Sequence, residues 1–218
     1  MPIVLRLAVA VAAAYSITLA AQAPDTQQIA QERRQAELDA PKLVEVLELK
    51  PGMAVADIGS GGGAMTVVLG HWNRGGQVFA TDITEHALRQ TREYAKKEGL
   101  TNVMVIEGAA AATNLPDECC DAVFLRHIYH HITDIAAFNK SLHASLKPGG
   151  RLAIIDFEAK PNPAEIPKGV PANRLGHGIP ASVVIGEVTA AGFTHLRTID
   201  AWPPGDKRPT LHLTLFRK

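Results

Sequence analysis

Short apolar runs alternate with longer stretches of helical period along most of this chain. The runs fall at 53–58, 77–82, 103–107, 121–125 and 151–157, with two more at 194–201 and 211–217. Most are apolar almost throughout rather than at every second position, which predicts parallel strands covered by helices on both faces. The intervening segments predict those helices. Residues 25–37 are polar with a helical period, and Asp39 is placed to cap a second helix with Pro41 in its first turn, reaching about Glu48. A further helix is expected from Ala64 to about Asn73. Thr84 and Gly99 read as the N-cap and C-terminal stop of the next, and Ala191-Gly-Phe193 ends another. Regular alternation of this kind predicts one α/β domain.

The first run ends in Asp57-Ile-Gly-Ser-Gly-Gly-Gly63, the pattern D-x-G-x-G-x-G. Glycines here let the backbone approach a ligand, because no Cβ intervenes. The helix that follows points its free N–H groups the same way. Gly59-Ser-Gly-Gly-Gly-Ala64 also satisfies the G-x-G-x-x-A form of a dinucleotide loop, and the second run ends in Asp82 at the spacing expected of a ribose-binding carboxylate. A carboxylate can accept from both vicinal hydroxyls, so this half of the chain fits an NAD site and an S-adenosylmethionine site equally.

The remainder separates the two. Leu49-Lys-Pro-Gly-Met53 leads into the first strand and Leu146-Lys-Pro-Gly-Gly-Arg151 into the fifth, and two strands close the chain. With these landmarks, residues 40 to 218 resemble the class I S-adenosylmethionine-dependent methyltransferases, closest to exported bacterial small-molecule enzymes. The resemblance implies an α/β, Rossmann-like doubly wound seven-stranded sheet with the last strand antiparallel. A typical NAD-binding domain lacks that terminal hairpin, which leaves an oxidoreductase as a remote alternative. A catalytically inactive cofactor-binding sensor or partner protein is the nearer one.

The resemblance also implies roles. Asp57 steadies the glycine loop and faces the methionine amino group, while Gly59, Gly61 and Gly63 let the backbone approach the cofactor. Asp82 takes the ribose hydroxyls, Ile83 lies against adenine, and Leu125 at the end of the fourth strand belongs to the same site. Family members often carry Gly-Asp-Ala after the third strand, whereas this chain has Gly108-Ala-Ala110. Adenine is then expected to rest on backbone groups of Ala109 and Ala110, or on a residue such as Asn114.

Arg126-His-Ile-Tyr-His-His131 follows the fourth strand, where the family faces its substrate. Methyl transfer is an in-line displacement in which the protein chiefly aligns the reactants. An acceptor that must lose a proton calls for a base, and an imidazole with an ordinary pKa of about 6.5 suits that task. His127 and Tyr129 are the candidates, with His177 or Asp156 contributing from later loops; His130 and His131 read as packing and capping groups. A metal reading would pair His127 with His131 on one helix face and add His177 or Asp134. Ile128 stands where an H-E-x-x-H hydrolase needs glutamate, so no metal is expected. The segment 161–180 is rich in proline and glycine; it is either a connector or a loop that brings Arg174 and His177 over substrate.

Composition narrows the partners. Lysine plus arginine equals aspartate plus glutamate at 22 each, and aromatic residues make up 5%. Neither a basic footprint nor a stacking surface for nucleic acid is present, which favours a small-molecule methyl acceptor. Residues 1–23 read as a signal peptide or apolar anchor: Arg6, then an apolar run from Leu7 to Ala21, then Ala21-Gln-Ala23. That predicts a periplasmic or secreted protein with no stable membrane span once processed, and residues 24–218 as the methyltransferase domain. S-adenosylmethionine is made in the cytoplasm, so export requires a separate source of cofactor. Cys119 and Cys120 are adjacent and are expected to pack as free, small apolar side chains.

Overall fold

The computed structural model describes residues 26–159, 162, 168–171, 174, 176–205 and 211–218. The elements run α1 (Thr26–Val46), β1 (Val55–Ile58), α2 (Ala64–Trp72), β2 (Val78–Asp82), α3 (Glu85–Lys97), β3 (Val103–Glu107), β4 (Cys120–Arg126), a 3₁₀ turn (Tyr129–His131), α4 (Ile135–Ser145), β5 (Leu146–Phe157), α5 (Ala181–Ala190), β6 (Thr194–Trp202) and β7 (Leu211–Arg217). The strands form one sheet in the order β3-β2-β1-β4-β5-β7-β6. β7 is antiparallel to both neighbours, β5 and β6, and the other pairings are parallel. The predicted α/β sheet with its antiparallel last strand is the observed one.

Side chains of the apolar runs divide between two cores, because successive residues of a strand face opposite ways. Val55, Phe124, Ala153, Ile155, Leu213 and Leu215 pack against α1 and α2 through Leu43, Val46, Met65 and Leu69. Ala56, Val123, Leu125, Leu152, Ile154 and Phe216 pack against α4 and α5 through Phe138, Leu142, Val184 and Val188. α3 packs beside α2 over β2 and β3. Both faces of the central strands are thereby dry, which is why their sequences lack alternation.

Two local expectations change. The helices expected on either side of residue 38 are one helix, and Pro41 lies inside it. Proline leaves the carbonyl four residues back without its helical donor; that residue is Glu37, which is exposed, so water can serve the carbonyl. Asp39 therefore caps nothing. It is buried, its carboxylate accepting from Arg126 Nη2 at 2.9 Å and from Gln35 Nε2 at 2.8 Å. The second change is at the start of β4, where Cys119 and Cys120 form a vicinal disulfide instead of remaining free thiols. The caps at Thr84 and Asp134 use their side-chain oxygens, which accept from the N–H groups of Ala87 and Ala137.

Among the described residues no helix is long and apolar enough to cross a membrane. The signal-peptide reading concerns residues 1–23, which lie outside the described residues, as does much of the segment 161–175.

Candidate active site

The glycine loop crosses the carboxyl ends of β1 and β2. The N–H groups of Gly59 and Ser60 donate to the carbonyl of Thr81 at 2.8 and 2.9 Å, tying the loop to β2. Gly59, Gly61 and Gly63 all have positive φ, at 72°, 53° and 80°, a region that non-glycine residues enter at a cost. Their surroundings differ. A Cβ on Gly59 would meet the Ile128 side chain at 2.7 Å, and one on Gly63 would meet Thr91 at 2.8 Å. A Cβ on Gly61 would meet nothing within 4 Å, so this backbone alone faces open space.

Asp82 ends β2 beside that opening. One of its oxygens accepts from the Gly61 N–H at 3.1 Å, and the other accepts from the backbone N–H and hydroxyl of Thr84, each at 3.0 Å. A carboxylate has about four lone-pair sites, so one remains for a ligand hydroxyl and a second opens if the Thr84 hydroxyl turns. Asp57 lies deeper, buried, and accepts from Thr66 Oγ1 at 2.7 Å. Burial pushes its carboxyl up to about 6, against the Thr66 hydrogen bond and the Arg126 charge, which pull it down; the charge of Asp82 adds to the rise.

Two cavities open on either side of the loop. The smaller, about 290 Å³, is lined by Asp82, Ile83, Gly108, Ala109, Ala110, Thr113, His131 and Phe138. The larger, about 760 Å³, is lined by Gln31 and Gln35 of α1, Asp57, Ser60, Gly61, Arg126, His127, Trp202, Pro203 and Leu211. Gly59 and Ile128 line both, so the two meet there. Ile83 is 64% exposed at the mouth of the smaller one. Ala109 lies on its wall, but its N–H and carbonyl already pair with Ala112 at 2.8 and 3.2 Å. Asn114 is turned away from it and donates to the carbonyl of Glu107 at 2.9 Å.

The segment after β4 is where expectation and geometry part most. His127 has φ 58° and donates its backbone N–H to Ile155 at 2.9 Å, outside any helix; its side chain lines the larger cavity. The protein packed behind the ring lowers its pKa to about 4, with the Arg126 charge adding to the effect. Its open side, exposed to solvent, moderates that depression without reversing it, and the imidazole is neutral at pH 7. Tyr129 is not at a cavity. It is fully buried, its hydroxyl accepts from Asn139 Nδ2 at 2.9 Å, and burial raises its pKa. Leu125 is likewise a core residue that lines neither cavity. Arg174 does not reach toward substrate: it is 0% exposed, paired with Glu187 at 3.0 Å and stacked 5.5 Å over the Tyr129 ring.

His177 joins a different group. Its Nε2 lies 3.2 Å from His130 Nε2, and His130 Nδ1 lies 2.8 Å from Asp156 Oδ1. His131 stacks on His130 with ring centroids 4.0 Å apart. The expected pairing of His127 with His131 is absent because the two share no helix, and Asp134 is occupied as the cap of α4. His130, expected as packing, is the hinge of this cluster.

Sequence reasoning missed Gln31, Gln35, Trp202 and Leu211, which reach the larger cavity from both ends of the domain, and no local pattern marks them. Ser60 was visible inside the glycine motif. Its hydroxyl is buried on the cavity wall and has no partner among the described residues. That orphaned group, the open side of Gly61 and the remaining lone pair of Asp82 fit a nucleoside-type ligand with vicinal hydroxyls and a polar tail.

Comparison with known proteins agrees. Residues 56–154 match the family model described as methyltransferase domain. The ubiquinone/menaquinone biosynthesis C-methyltransferase of Shewanella frigidimarina is 32% identical over 116 residues, 52% of this chain and 46% of that protein. The chain thus spans about half the length of the curated relatives it matches. A SAM-dependent methyltransferase from Aquifex aeolicus superposes with a TM-score of 0.67 at 25% identity, covering 88% of this chain and 97% of that one. An S-adenosylmethionine-dependent methyltransferase from Mesorhizobium loti has the same fold at 18% identity, TM-score 0.63, with 84% and 98% covered. With this strand order, the glycine loop over β1 and the acidic end of β2, the chain has the fold of the class I S-adenosylmethionine-dependent methyltransferases, and residues 56–154 carry the match to the methyltransferase domain.

Proposed function

We propose that the protein transfers a methyl group from S-adenosylmethionine to a small acceptor held in the larger cavity. The observation that carries this reading is the junction of the two cavities at Gly59 and Ile128, with Asp82 on one side and Asp57 on the other. The adenosine half belongs in the smaller cavity, its ribose on Asp82 and its base against Ile83, Ala109 and Ala110. The methionine half crosses the open backbone of Gly61, and its amino group faces Asp57 and the Ser60 hydroxyl.

When bound, the cofactor supplies an electrophilic methyl on a sulfonium centre; the chain's residues do the rest by holding and aligning. Gln31, Gln35 and Arg126 offer polar contacts in the larger cavity, and Trp202, Pro203 and Leu211 offer an apolar wall. That mixture suits an acceptor with an apolar body and one polar end. His127, neutral at pH 7, faces the same cavity and offers a ring nitrogen that accepts a hydrogen bond from the acceptor's polar end; with its pKa lowered to about 4 it is a weak base, and it serves to align the acceptor more than to hold its proton. The export reading of residues 1–23 belongs to the same proposal, supported by the apolar run that precedes Pro24; fractionation of cells expressing the full chain tests it, and retention in the cytoplasm would overturn it.

Calorimetric titration with S-adenosylmethionine, S-adenosylhomocysteine and NADH is the first experiment. Micromolar binding of both sulfur compounds with none of NADH is expected. Failure of both to bind the folded protein would refute the proposal.

A further inference from the structure

At the edge of the smaller cavity, three imidazoles converge near the carboxyl ends of β4 and β5. One ring nitrogen from each of His130, His131 and His177 lies within 4.8 Å of the others. Asp156 is fully buried and accepts from His130 Nδ1 at 2.8 Å and from the backbone N–H groups of His130 and Phe157 at 3.2 and 3.0 Å. With three donors upon it the carboxylate acts as an acceptor, which places the His130 proton on Nδ1 and turns the Nε2 lone pair toward His177. A carboxylate behind a histidine in this way is the arrangement that orients metal-ligating imidazoles and raises their basicity.

The spacing agrees with coordination. Two nitrogens bonded at 2.0–2.1 Å to a tetrahedral ion lie about 3.3–3.4 Å apart, and the two Nε2 atoms are 3.2 Å apart. His131 and His177 are exposed and free to adjust, so His131 can close the remaining gap by a side-chain rotation. Phe157 packs edge-on against His130 and His177, with centroids at 4.9 and 5.2 Å, and gives the group an apolar wall. We infer that His130, His131 and His177 form a binding site for a divalent transition ion of the zinc class, oriented by Asp156 and open at its fourth position. Three neutral nitrogens suit zinc, cobalt, nickel or copper and not magnesium or calcium, which take oxygen ligands. Because His131 also lines the smaller cavity, a ligand entering there can reach the open position. The site stands whether or not the protein transfers methyl groups.

The test uses the full chain, free of any histidine tag, stripped with chelator and titrated with Co²⁺ and Zn²⁺. One equivalent of Co²⁺ giving visible d–d absorption of a four- or five-coordinate ion is expected. His131→Ala and His177→Ala, both at exposed positions and checked for native circular dichroism, each weaken Zn²⁺ binding at least tenfold; Asp156→Asn weakens it about 10–100-fold. His86→Ala, at an exposed position on α3, leaves it unchanged. Absence of the cobalt bands, or a Zn²⁺ affinity within twofold of wild type in folded His131→Ala and His177→Ala, overturns the inference.

Discussion

Alanine at Gly61 and at Gly63 separates the two reasons for a glycine in this loop. Both positions have positive φ, so each substitution carries the left-handed backbone penalty of about 1–2 kcal/mol. Only Gly63→Ala also drives a methyl into Thr91, 2.8 Å from its hydroxyl and 3.0 Å from its Cα. The backbone contact leaves no room for a simple side-chain turn, and overpacking of this sort costs about 1–3 kcal/mol. Thr91 also donates to the Gly61 carbonyl at 3.0 Å, so displacing it loosens the loop further. Urea unfolding is expected to show Gly61→Ala destabilised by about 1–2 kcal/mol and Gly63→Ala by roughly 2–5 kcal/mol. Calorimetry reverses the emphasis. The new methyl of Gly61→Ala stands in the open space that the cofactor crosses, so S-adenosylmethionine binds at least tenfold more weakly to a folded, nearly native protein. A folded Gly61→Ala that binds within twofold of wild type would refute the placement of the cofactor over this loop. Equal stability of the two variants would refute the packing argument at Gly63.

Four further outcomes are expected. Asp82→Ala removes the acceptor for ribose and for the Gly61 N–H, and since hydrogen bonds to charged groups contribute about 1.5–3 kcal/mol each, S-adenosylmethionine affinity falls about 100-fold or more; a change below threefold in calorimetry contradicts the assignment. His127→Ala leaves that affinity within about threefold and lowers turnover about tenfold, the worth of one aligning hydrogen bond, read by S-adenosylhomocysteine release once an acceptor is found; a selective loss of binding instead would make His127 a cofactor ligand. Asp57, with its pKa raised to about 6 in the fold, contributes stability that is complete below about pH 4 and lost as pH rises through 6, on the order of 3 kcal/mol. Denaturation at pH 4 to 8 is expected to show that trend reduced in Asp57→Asn, and an unchanged profile counts against it. Asp39→Ala leaves Arg126 with its buried partner removed and costs about 3 kcal/mol, the lower end for a buried pair because Arg126 keeps some water; a loss below 1 kcal/mol by urea unfolding would make the pair incidental.

The sheet and the cofactor half of the site were legible because their signals are local. Strands buried on both faces are apolar throughout, and a loop that needs positive φ at residues 59, 61 and 63 needs glycine at each. The acceptor half was less legible. Asp39 has the residue type and position of a helix cap, and only Arg126, 87 residues away, makes it a buried ion-pair partner. Tyr129 sits among loaded neighbours in sequence, yet the 3₁₀ turn sends it into the core between Asn139 and Arg174 while His131 faces out. His177 was expected near the substrate, but its partner is His130, a pairing set by the return of the chain after β5. Trp202 and Leu211 reach the cavity because β7 pairs between β5 and β6, which no short window of residues encodes.

That insertion has a consequence for how the molecule is made. Synthesis proceeds from the N-terminus, and β1 to β5 can pair with one another as they emerge. β6 cannot join them, because its neighbour in the sheet is β7, which follows it in the chain. Until β7 docks, β5 keeps one bare edge and the side chains that Leu213 and Phe216 will cover have nothing over them. A released chain cut short just after Trp202 therefore presents that bare edge to chaperones and to pairing with a neighbouring copy.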